Sequence, residues 1–411
     1  MARIVVVYSW LLLSIATSCS QKPELTQQTV ASRPAENVAE PEVNMQYTWN
    51  ASPDSLHLHL LFFDVSRIMD LKRTVINLSY DVTGVQNAVV LRDTVRVAEI
   101  NVPEQEEGVI FKMSIPREIV IADNSVNLKL WQKFAGEARM HSAFNIALDP
   151  GMLEKMGLLV QAKSKIPLIR TYTTTADSML LENADTTAAM LVYYFKSEFT
   201  PALPPMSERK EAAARTLQPS DSLTIDPNNT FALPQDGLYL LWPDKSFSTG
   251  LLVEQWSFPR ITMAKEMLQP LIYLTTSTER ERLFKATDPK KAVDEFWIQV
   301  AGEKHLAREL IRTYYGRVEH ANKLYTSHKP GWATDRGMIY LVYGPPSDIS
   351  RVADTETWIY RESEMHPYIK FVFTKKQNNF TGNHYELIRH REYEESWYSA
   401  VAKWRAGITD M

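Results

Sequence analysis

Three adjacent polar residues near the end of the chain, Thr334, Asp335 and Arg336, have side chains of types that can do chemistry. A hydroxyl, a carboxylate and a guanidinium this close together could form a catalytic or anion-binding group, and His328 or Glu356 could join them in an open pocket. The same residues also fit a structural turn, because aspartate accepts hydrogen bonds from backbone amides within turns. No pattern of nucleophile, base and orienting group accompanies them. We therefore predict a structural turn and no catalytic residue.

Two histidines, His57 and His59, are the main candidates for a metal site. They lie two residues apart in an alternating apolar segment, so both would project from one face of a strand. Two such imidazoles could begin a metal site, but no third ligand is evident. We therefore predict that both are surface histidines of a strand, and we predict neither a metal nor a cofactor. The sequence contains no Gly-x-Ser-x-Gly, P-loop or His-Glu-x-x-His motif, and no cysteine nucleophile.

The turn that would position Thr334 and Asp335 is bracketed by Gly331 and Gly337. Glycine is free to take a positive φ, which suits a tight turn. Trp332 offers a large apolar body with one hydrogen-bond donor, so it could join a helix to a sheet. These features predict a junction between a helix and a strand.

The apolar run after the turn, Met338–Tyr343, is predicted to form that strand. Ile339, Leu341 and Tyr343 would then face one side of the sheet. The sequence Gly-Pro-Pro at residues 344–346 would end the strand, because neither proline can donate a hydrogen bond to a ladder.

The rest of the chain predicts a multidomain, mainly β protein. Residues 45–150 contain short runs of β-branched and aromatic residues between turn residues, which predicts an immunoglobulin-like β-sandwich. Residues 151–260 predict a second β-rich domain, interrupted by a charged helix or loop at Glu208–Arg215. Residues 261–411 predict an α+β domain of helices and a small antiparallel sheet.

Helix and strand signals support this α+β prediction. Capped helices are predicted to start at Thr278 and at Asp288, where Pro289 suits the first helical position. Further elements are predicted as an amphipathic helix at Lys304–Ser327, strands at Thr357–Tyr360, Ile369–Phe373 and His384–Ile388, and a final helix at Glu392–Arg405.

Length and charge limit the class of protein. At 411 residues the chain predicts two to three domains. Its net charge of -4 gives no support for nucleic-acid binding, which needs a basic face.

The single cysteine of the chain, Cys19, follows a segment that reads as a secretory signal over residues 1–18. The sequence Ala16-Thr17-Ser18-Cys19 resembles a bacterial lipobox, which implies cleavage before Cys19 and lipid attachment to it. Residues 19–44 are polar and proline-containing, which predicts a disordered tether. The alternative is a soluble secreted protein cut near the same place.

The segment from Gly331 to Pro346 resembles the GWxTD-domain family of bacterial envelope proteins, the Bacteroidetes group among them. The match rests on Gly-Trp-x-Thr-Asp, Arg-Gly-x-Ile-Tyr and Tyr-Gly-Pro-Pro. Two upstream segments, Asp294–Trp297 and Tyr314–Asn322, resemble the helical lead-in of that family. The resemblance implies a helix-plus-sheet domain on a lipoprotein and implies no activity. The residues assigned to the motif and to a recognition surface are Gly331, Trp332, Thr334, Asp335, Arg336, Gly337, Gly344, Pro345 and Trp358.

A weaker resemblance links the same region to the small lipoprotein of the outer-membrane barrel-assembly machinery. That protein has Gly-x-Pro after its helices and a Trp-x-Tyr strand, as in Gly344–Pro346 and Trp358–Tyr360 here. A strand, in place of a helix, is predicted before Gly344, which departs from that pattern.

We therefore expect a non-enzymatic binding or scaffold protein, anchored to the outer membrane by lipid on Cys19. The expected partner is an outer-membrane barrel or another envelope protein, with no nucleic acid and no identified small-molecule substrate. The periplasmic or cell-surface side is left open. The alternative is an envelope hydrolase with its site around Thr334, Asp335 and Arg336.

Overall fold

The computed structural model describes residues 43–64, 71–96, 108–134, 137–183, 189–196, 199–208, 218–361, 368–378 and 380–408. The predicted signal peptide, Cys19 and nearly all of the predicted tether lie outside the described residues, as does most of the charged segment at 208–215. The described residues belong to one compact unit. Strands predominate before residue 260 and helices after it, which confirms the predicted mainly β fold with an α+β C-terminal part.

The first part of the chain forms two antiparallel sheets that share one core. Its elements are β1 (Val43–Ala51), β2 (Ser55–Asp64), α1 (Leu71–Thr74), β3 (Val75–Thr83), β4 (Val89–Arg96), β5 (Val109–Pro116), β6 (Ser125–Phe134) and β7 (Glu137–Ala147), with 3-10 turns at Val85–Asn87, Arg117–Ile119 and Pro150–Glu154. The sheet orders are β1-β2-β5 and β4-β3-β6-β7. Phe62 of β2 lies 5.7 Å from Phe111 and 5.4 Å from Phe144 between ring centroids, so both sheets contribute to this aromatic contact.

The middle part is a mixed sheet that buries both of its faces. Its strands are β8 (Leu158–Gln161), β9 (Tyr172–Thr174), β10 (Met179–Glu182), β11 (Met190–Phe195), β12 (Asp221–Ile225), β13 (Gly237–Leu241) and β14 (Thr249–Glu254). The main sheet has the order β12-β11-β13-β14-β9, and β8 pairs with β10 separately. Along β13, Tyr239 and Leu241 face one core, whereas Leu238 and Leu240 pack with Phe380 of the C-terminal part.

The last part is a helical layer packed on a four-stranded antiparallel sheet. Its elements are α2 (Ala264–Leu268), a 3-10 turn at Gln269–Tyr273, α3 (Ser277–Phe284), α4 (Pro289–Ala301), α5 (Lys304–Tyr325), a 3-10 turn at Gly331–Ala333, α6 (Asp335–Tyr343), β15 (Asp348–Val352), β16 (Thr355–Tyr360), β17 (Ile369–Lys375), β18 (Tyr385–Leu387) and α7 (Tyr393–Arg405). The sheet order is β15-β16-β17-β18. Asp288 caps α4 through the Lys291 amide, as predicted, and a capping box of Thr276 and Glu279 starts α3 close to the predicted position.

The predicted strand at Met338–Tyr343 is wrong, because these residues form most of α6. All nine residues of α6 are buried, so the segment has no polar face and its apolar run shows no helical period. The predicted alternation of Ile339, Leu341 and Tyr343 to one side is therefore wrong as well. Gly344 does end the element, but it ends a helix, at a φ of 85° that glycine adopts more readily than other residues.

Candidate functional site

The Thr334 side chain is the N-cap of α6. Its hydroxyl oxygen accepts a hydrogen bond from the Gly337 amide at 3.0 Å. The hydroxyl donates in turn to the Gly331 carbonyl at 2.8 Å. The side chain is buried, and both of its hydrogen-bonding roles serve the turn. Thr334 is therefore placed as a helix cap and not as a nucleophile.

The two glycines of the motif allow the backbone of this turn to approach its neighbours closely. A methyl group at Gly331 would overlap the carbonyl of Ala321 on α5, and one at Gly337 would overlap the carbonyl of Gly331. The Gly331 amide also donates to the Thr326 hydroxyl at 3.0 Å. The sequence prediction gave these glycines a role in backbone conformation, whereas the structure gives them a role in close packing.

Both oxygens of the Asp335 carboxylate are engaged inside the protein. One accepts from the Leu387 amide at 2.6 Å and from Arg389 Nη1 at 3.1 Å. The other accepts from Arg389 Nη2 at 2.5 Å, which completes a bidentate ion pair. Asp335 therefore joins the start of α6 to the strand β18 and the loop after it.

Arg336 and Glu356 form a buried charged cluster next to the motif. Arg336 donates to the backbone carbonyl of Asn383 at 2.8 Å, and its guanidinium carbon lies 4.1 Å from the centre of the Tyr385 ring. Glu356 accepts from Trp358 Nε1 at 2.7 Å and from Arg351 at 3.1 Å, and its distance to Arg336 Nη1 is 3.5 Å. Burial raises the pKa of Glu356, but the two arginines and the indole hydrogen bond outweigh it, so that the pKa lies below its usual value.

The two tryptophans assigned to recognition are both buried. The Trp332 amide donates to Asn322 Oδ1 at 3.0 Å, and its carbonyl accepts from the Tyr273 hydroxyl at 3.3 Å. Trp358 is fully buried, with its ring centroid 4.9 Å from that of Phe373. Both side chains therefore belong to the core, and neither is exposed on the predicted recognition surface.

Gly344 and Pro345 lie at the opposite end of α6 from the motif. Arg317 Nη1 donates to the carbonyls of Leu341 and Val342 at 3.1 and 3.3 Å, where the partial negative charge of the helix C-terminus favours a cation. The Gly344 carbonyl accepts from the Tyr360 hydroxyl at 2.9 Å. Pro345 is exposed.

His328 lies close to the motif in sequence but packs elsewhere. Its ring centroid is 4.6 Å from that of His384 and 4.8 Å from that of Phe199. Burial, followed by the nearby His384 and Lys329, lowers the pKa of His328 to about 3. The imidazole is therefore neutral at physiological pH.

The histidine pair on β2 is part of the sandwich. His57 Nδ1 lies 2.9 Å from Ser114 Oγ, and His59 Nε2 lies 3.0 Å from Asn50 Oδ1. Burial lowers the pKa of His59 to about 4, with smaller effects of neighbouring Lys112, His57 and Lys155. His59 is buried, not a surface residue as predicted. Among the described residues, no group of three or more His, Cys, Asp or Glu side chains is placed to hold a metal ion.

Beside the Arg336–Glu356 cluster lies a cleft with a volume of about 1750 Å³, which we call the basic cleft. Residues from the sandwich, the middle sheet and the C-terminal part all line it. The basic residues that line it are Lys129, Lys155, Arg170, Arg336, Arg351, Lys375 and Lys376, and the acidic residues are Asp81 and Glu356. A protein with a net charge of -4 thus presents a predominantly positive cleft.

Lys155 is an unusual member of the basic cleft. Only 4% of it is exposed, and its ammonium donates to the Thr48 hydroxyl at 3.3 Å. The ammonium also lies 4.7 Å from the centre of the Trp49 ring, and no carboxylate among the described residues pairs with it. Burial lowers the pKa of Lys155 to about 8. A buried cation with unused donors is a candidate anion-binding group.

Sequence reasoning missed the partners that give the motif its geometry. Arg389 is more than fifty positions from Asp335, with which it pairs, and Asn383 is similarly far from Arg336. Lys155 was not singled out, because a lone lysine after a proline-glycine turn carries no local signal. Asn322, which accepts from the Trp332 amide, is the one such partner with a signal in the sequence, because it lies in the lead-in helix that the family resemblance covers.

One comparison with known proteins identifies a domain in the later part of the chain. The family model described as the GWxTD domain matches residues 237–406, so it includes β13 and β14 of the middle sheet. No curated protein matches the chain. One solved structure, titled pT26-6p, is 8% identical over 69% of this chain and 82% of that chain, with a TM-score of 0.13, and a likeness at that level carries no argument. In the part of the chain that the structure describes, no helix has the length and apolar character needed to cross a membrane.

Proposed function

Because residues 237–406 of this chain form a GWxTD domain, we propose that the chain is a lipid-anchored protein of the bacterial cell envelope that binds a partner without catalysing a reaction. The anchor would be lipid on Cys19, and the outer membrane is the proposed location. The partner would be an outer-membrane barrel or another envelope protein. The basic cleft is the proposed binding site.

One observation carries the binding role. The hydroxyl of Thr334 is buried and engaged in the turn, and the carboxylate of Asp335 is buried and engaged by Leu387 and Arg389. The neighbouring Arg336 and Glu356 line the basic cleft. The motif thus orients a charged wall of the cleft. The hydrolase alternative requires an available hydroxyl or carboxylate at Thr334 or Asp335, so this geometry favours binding over hydrolysis.

The weaker resemblance adds support for an outer-membrane partner. The sequence predicted a strand before Gly344, but a helix precedes it. The order of elements here is therefore a helix, Gly-x-Pro and then a Trp-x-Tyr strand, which is β16. This order agrees with the small barrel-assembly lipoprotein, whereas the predicted strand before Gly344 would have departed from it. A barrel protein is accordingly the first partner to test.

Membrane fractionation tests the anchor. Cys19→Ala is expected to move the protein from the membrane fraction to the soluble fraction, because the thiol is the predicted acceptor of the lipid. Cys19→Ala that remains with the membrane would contradict the anchor.

Photo-crosslinking in intact cells tests the binding site. A photoreactive residue at Tyr47, which is 38% exposed in the basic cleft, is expected to give a discrete adduct with an envelope protein. The matched control is Tyr398 on α7, which is 58% exposed and does not line the cleft. Equal adducts at both positions, or none at Tyr47, would exclude the cleft as the binding site.

A further inference from the structure

We propose that the basic cleft binds an extended acidic segment of a partner protein, which adds to the open edge of β1 as an antiparallel or parallel strand. The inference rests on the proposed binding function and names the chemistry of the partner. β1 pairs only with β2 and lies at the edge of its sheet among the described strands.

The open edge of β1 faces the cleft. Six consecutive residues, Asn44 to Trp49, line the cleft. If one face of the strand were turned toward the cleft, alternate residues would line it, because successive side chains point to opposite faces. A continuous run indicates that the edge itself, with its backbone groups, borders the cleft.

The hydrogen bonds at the two ends of β1 show which of its amides point outward. The Ala51 amide donates to the Lys155 carbonyl at 2.7 Å, and the Met45 amide donates to Asn44 Oδ1 at 2.8 Å. Neither partner lies on β2, and amides along a strand alternate between the two edges. The N–H and C=O groups of Tyr47 and Trp49, which share this parity, therefore point away from β2, and within the described residues they have no partner.

Positive charge lies beside this edge. Lys155 contacts both Thr48 and Trp49 and has donors left unused, as described above. Lys375 is exposed in the same cleft and forms no ion pair among the described residues. Arg336 and Arg351 line the same cleft, and both pair with the carboxylate of Glu356. Backbone pairing to β1 and charge pairing to these cations together favour an extended acidic peptide.

An anionic carbohydrate chain could satisfy the cations, but it could not use the ladder groups of Tyr47 and Trp49 in the alternating pattern of a strand. The peptide is therefore the occupant that the observations favour. The bound segment would run beside about six residues, or roughly 20 Å at about 3.3 Å per residue.

Binding of defined peptides to the full chain in detergent micelles tests the proposal. The probe is a short capped peptide of alternating glutamate and valine, and the matched probe replaces glutamate with lysine. The acidic peptide is expected to slow hydrogen exchange at the Tyr47 and Trp49 amides, and the basic peptide is not. An acidic oligogalacturonate that binds when the acidic peptide does not would overturn the proposal in favour of a carbohydrate ligand.

A proline variant isolates the backbone contribution. Tyr47→Pro removes an outward amide, which an edge strand tolerates, and Tyr47→Ala removes the same side chain but keeps the amide. Tyr47→Pro is expected to bind the acidic peptide at least about tenfold more weakly than Tyr47→Ala at equal melting temperature. Equal affinity of the two variants would overturn strand addition.

Charge reversal isolates the electrostatic contribution. Lys375→Glu is expected to weaken acidic-peptide binding on the order of tenfold, and this loss should shrink at high salt. The control is Lys290→Glu on α4, an exposed position that does not line the cleft. If both reversals weaken binding equally, the cleft is not the site. If Cys19→Ala stayed with the membrane, the proposed anchor would be wrong, but these peptide-binding measurements would be unaffected. The failure of the anchor and the failure of strand addition can therefore be distinguished.

Discussion

At Asp335, the buried ion pair with Arg389 decides between a chemical and a structural role. A carboxylate that acts as a base needs a lone pair directed at a substrate. Here one oxygen accepts from a backbone amide and from Arg389, and the other accepts from Arg389. The side chains of Asp335 and Arg389 are 5% and 15% exposed, so this pairing is shielded from water. The motif aspartate therefore stabilises the junction between α6 and β18.

Asp335→Ala is expected to destabilise the protein by about 3–5 kcal/mol, because it leaves the Arg389 guanidinium largely buried and without its partner. Urea denaturation measures the change. The control is Arg391→Ala, which breaks an exposed ion pair with Glu394 and should cost at most about 1 kcal/mol. A loss for Asp335→Ala no larger than that of the control would contradict the structural role.

His328 is expected to make stability depend on pH. Its pKa of about 3 lies below the ordinary value of 6.5 because of burial and because of the nearby His384 and Lys329. As pH falls below 6.5, the unfolded chain binds this proton before the folded chain does. Stability should therefore fall by up to about 1.4 kcal/mol per pH unit until pH approaches 3.

His328→Leu should flatten this dependence when urea unfolding is compared between pH 7 and pH 4. Part of the slope should remain, because the pKa of His59 is also lowered, to about 4. His305→Gln is the matched control, since the side chain of His305 is 78% exposed on α5. An unchanged slope in His328→Leu would show that His328 is not buried as a neutral imidazole.

At the scale of elements, α6 shows how a cap can determine the structure of an ambiguous segment. Met338–Tyr343 consists of apolar, β-branched and aromatic residues, which favour a strand on local grounds. Thr334 caps the segment as a helix, and Trp404 Nε1 and Arg317 bind carbonyls at its other end. Burial on every side then removes the amphipathic pattern that would have revealed the helix.

Two helical glycines provide a test of the close packing around α6. Gly337→Ala is expected to destabilise the protein by about 1–3 kcal/mol or more, because the added methyl overlaps the Gly331 carbonyl. Gly316→Ala in α5 has no neighbouring atom within 4 Å of the added methyl. It should be neutral or should stabilise the protein by about 0.5–1 kcal/mol. Thermal unfolding of both variants makes the comparison, and equal effects would contradict the packing argument.

At the scale of the whole molecule, hydrogen bonds to backbone carbonyls join the C-terminal part to the middle part. The Ala202 amide donates to the Ala333 carbonyl at 2.9 Å, and the Gly250 amide donates to the Phe380 carbonyl at 2.7 Å. Arg389 donates to the Leu203 carbonyl at 3.0 Å. The family match, residues 237–406, contains both Gly250 on β14 and Phe380, so it covers both sides of that contact. We therefore expect the middle sheet and the C-terminal part to unfold together.

Gly250→Ala should weaken this interface, because a methyl there overlaps the Phe380 carbonyl. We expect a loss of about 1–3 kcal/mol and, in calorimetry, a broadened or divided transition. Gly382→Ala in the loop next to Phe380 is the matched control, since its added methyl meets no atom within 4 Å. A single unshifted transition in Gly250→Ala would show that the interface contributes little.

Much of the secondary structure could be predicted from the sequence, because helix and strand signals depend on residues that are close together in the chain. The alternating strands, the capped start of α4 and the amphipathic α5 follow from periodicity and capping residues, and the GWxTD motif identified the family. Only the tertiary structure made α6 a helix, paired Asp335 with Arg389 and gathered dispersed cations into the cleft that β1 also lines. Those features depend on contacts between residues far apart in the chain, and local spacing carries no record of such contacts.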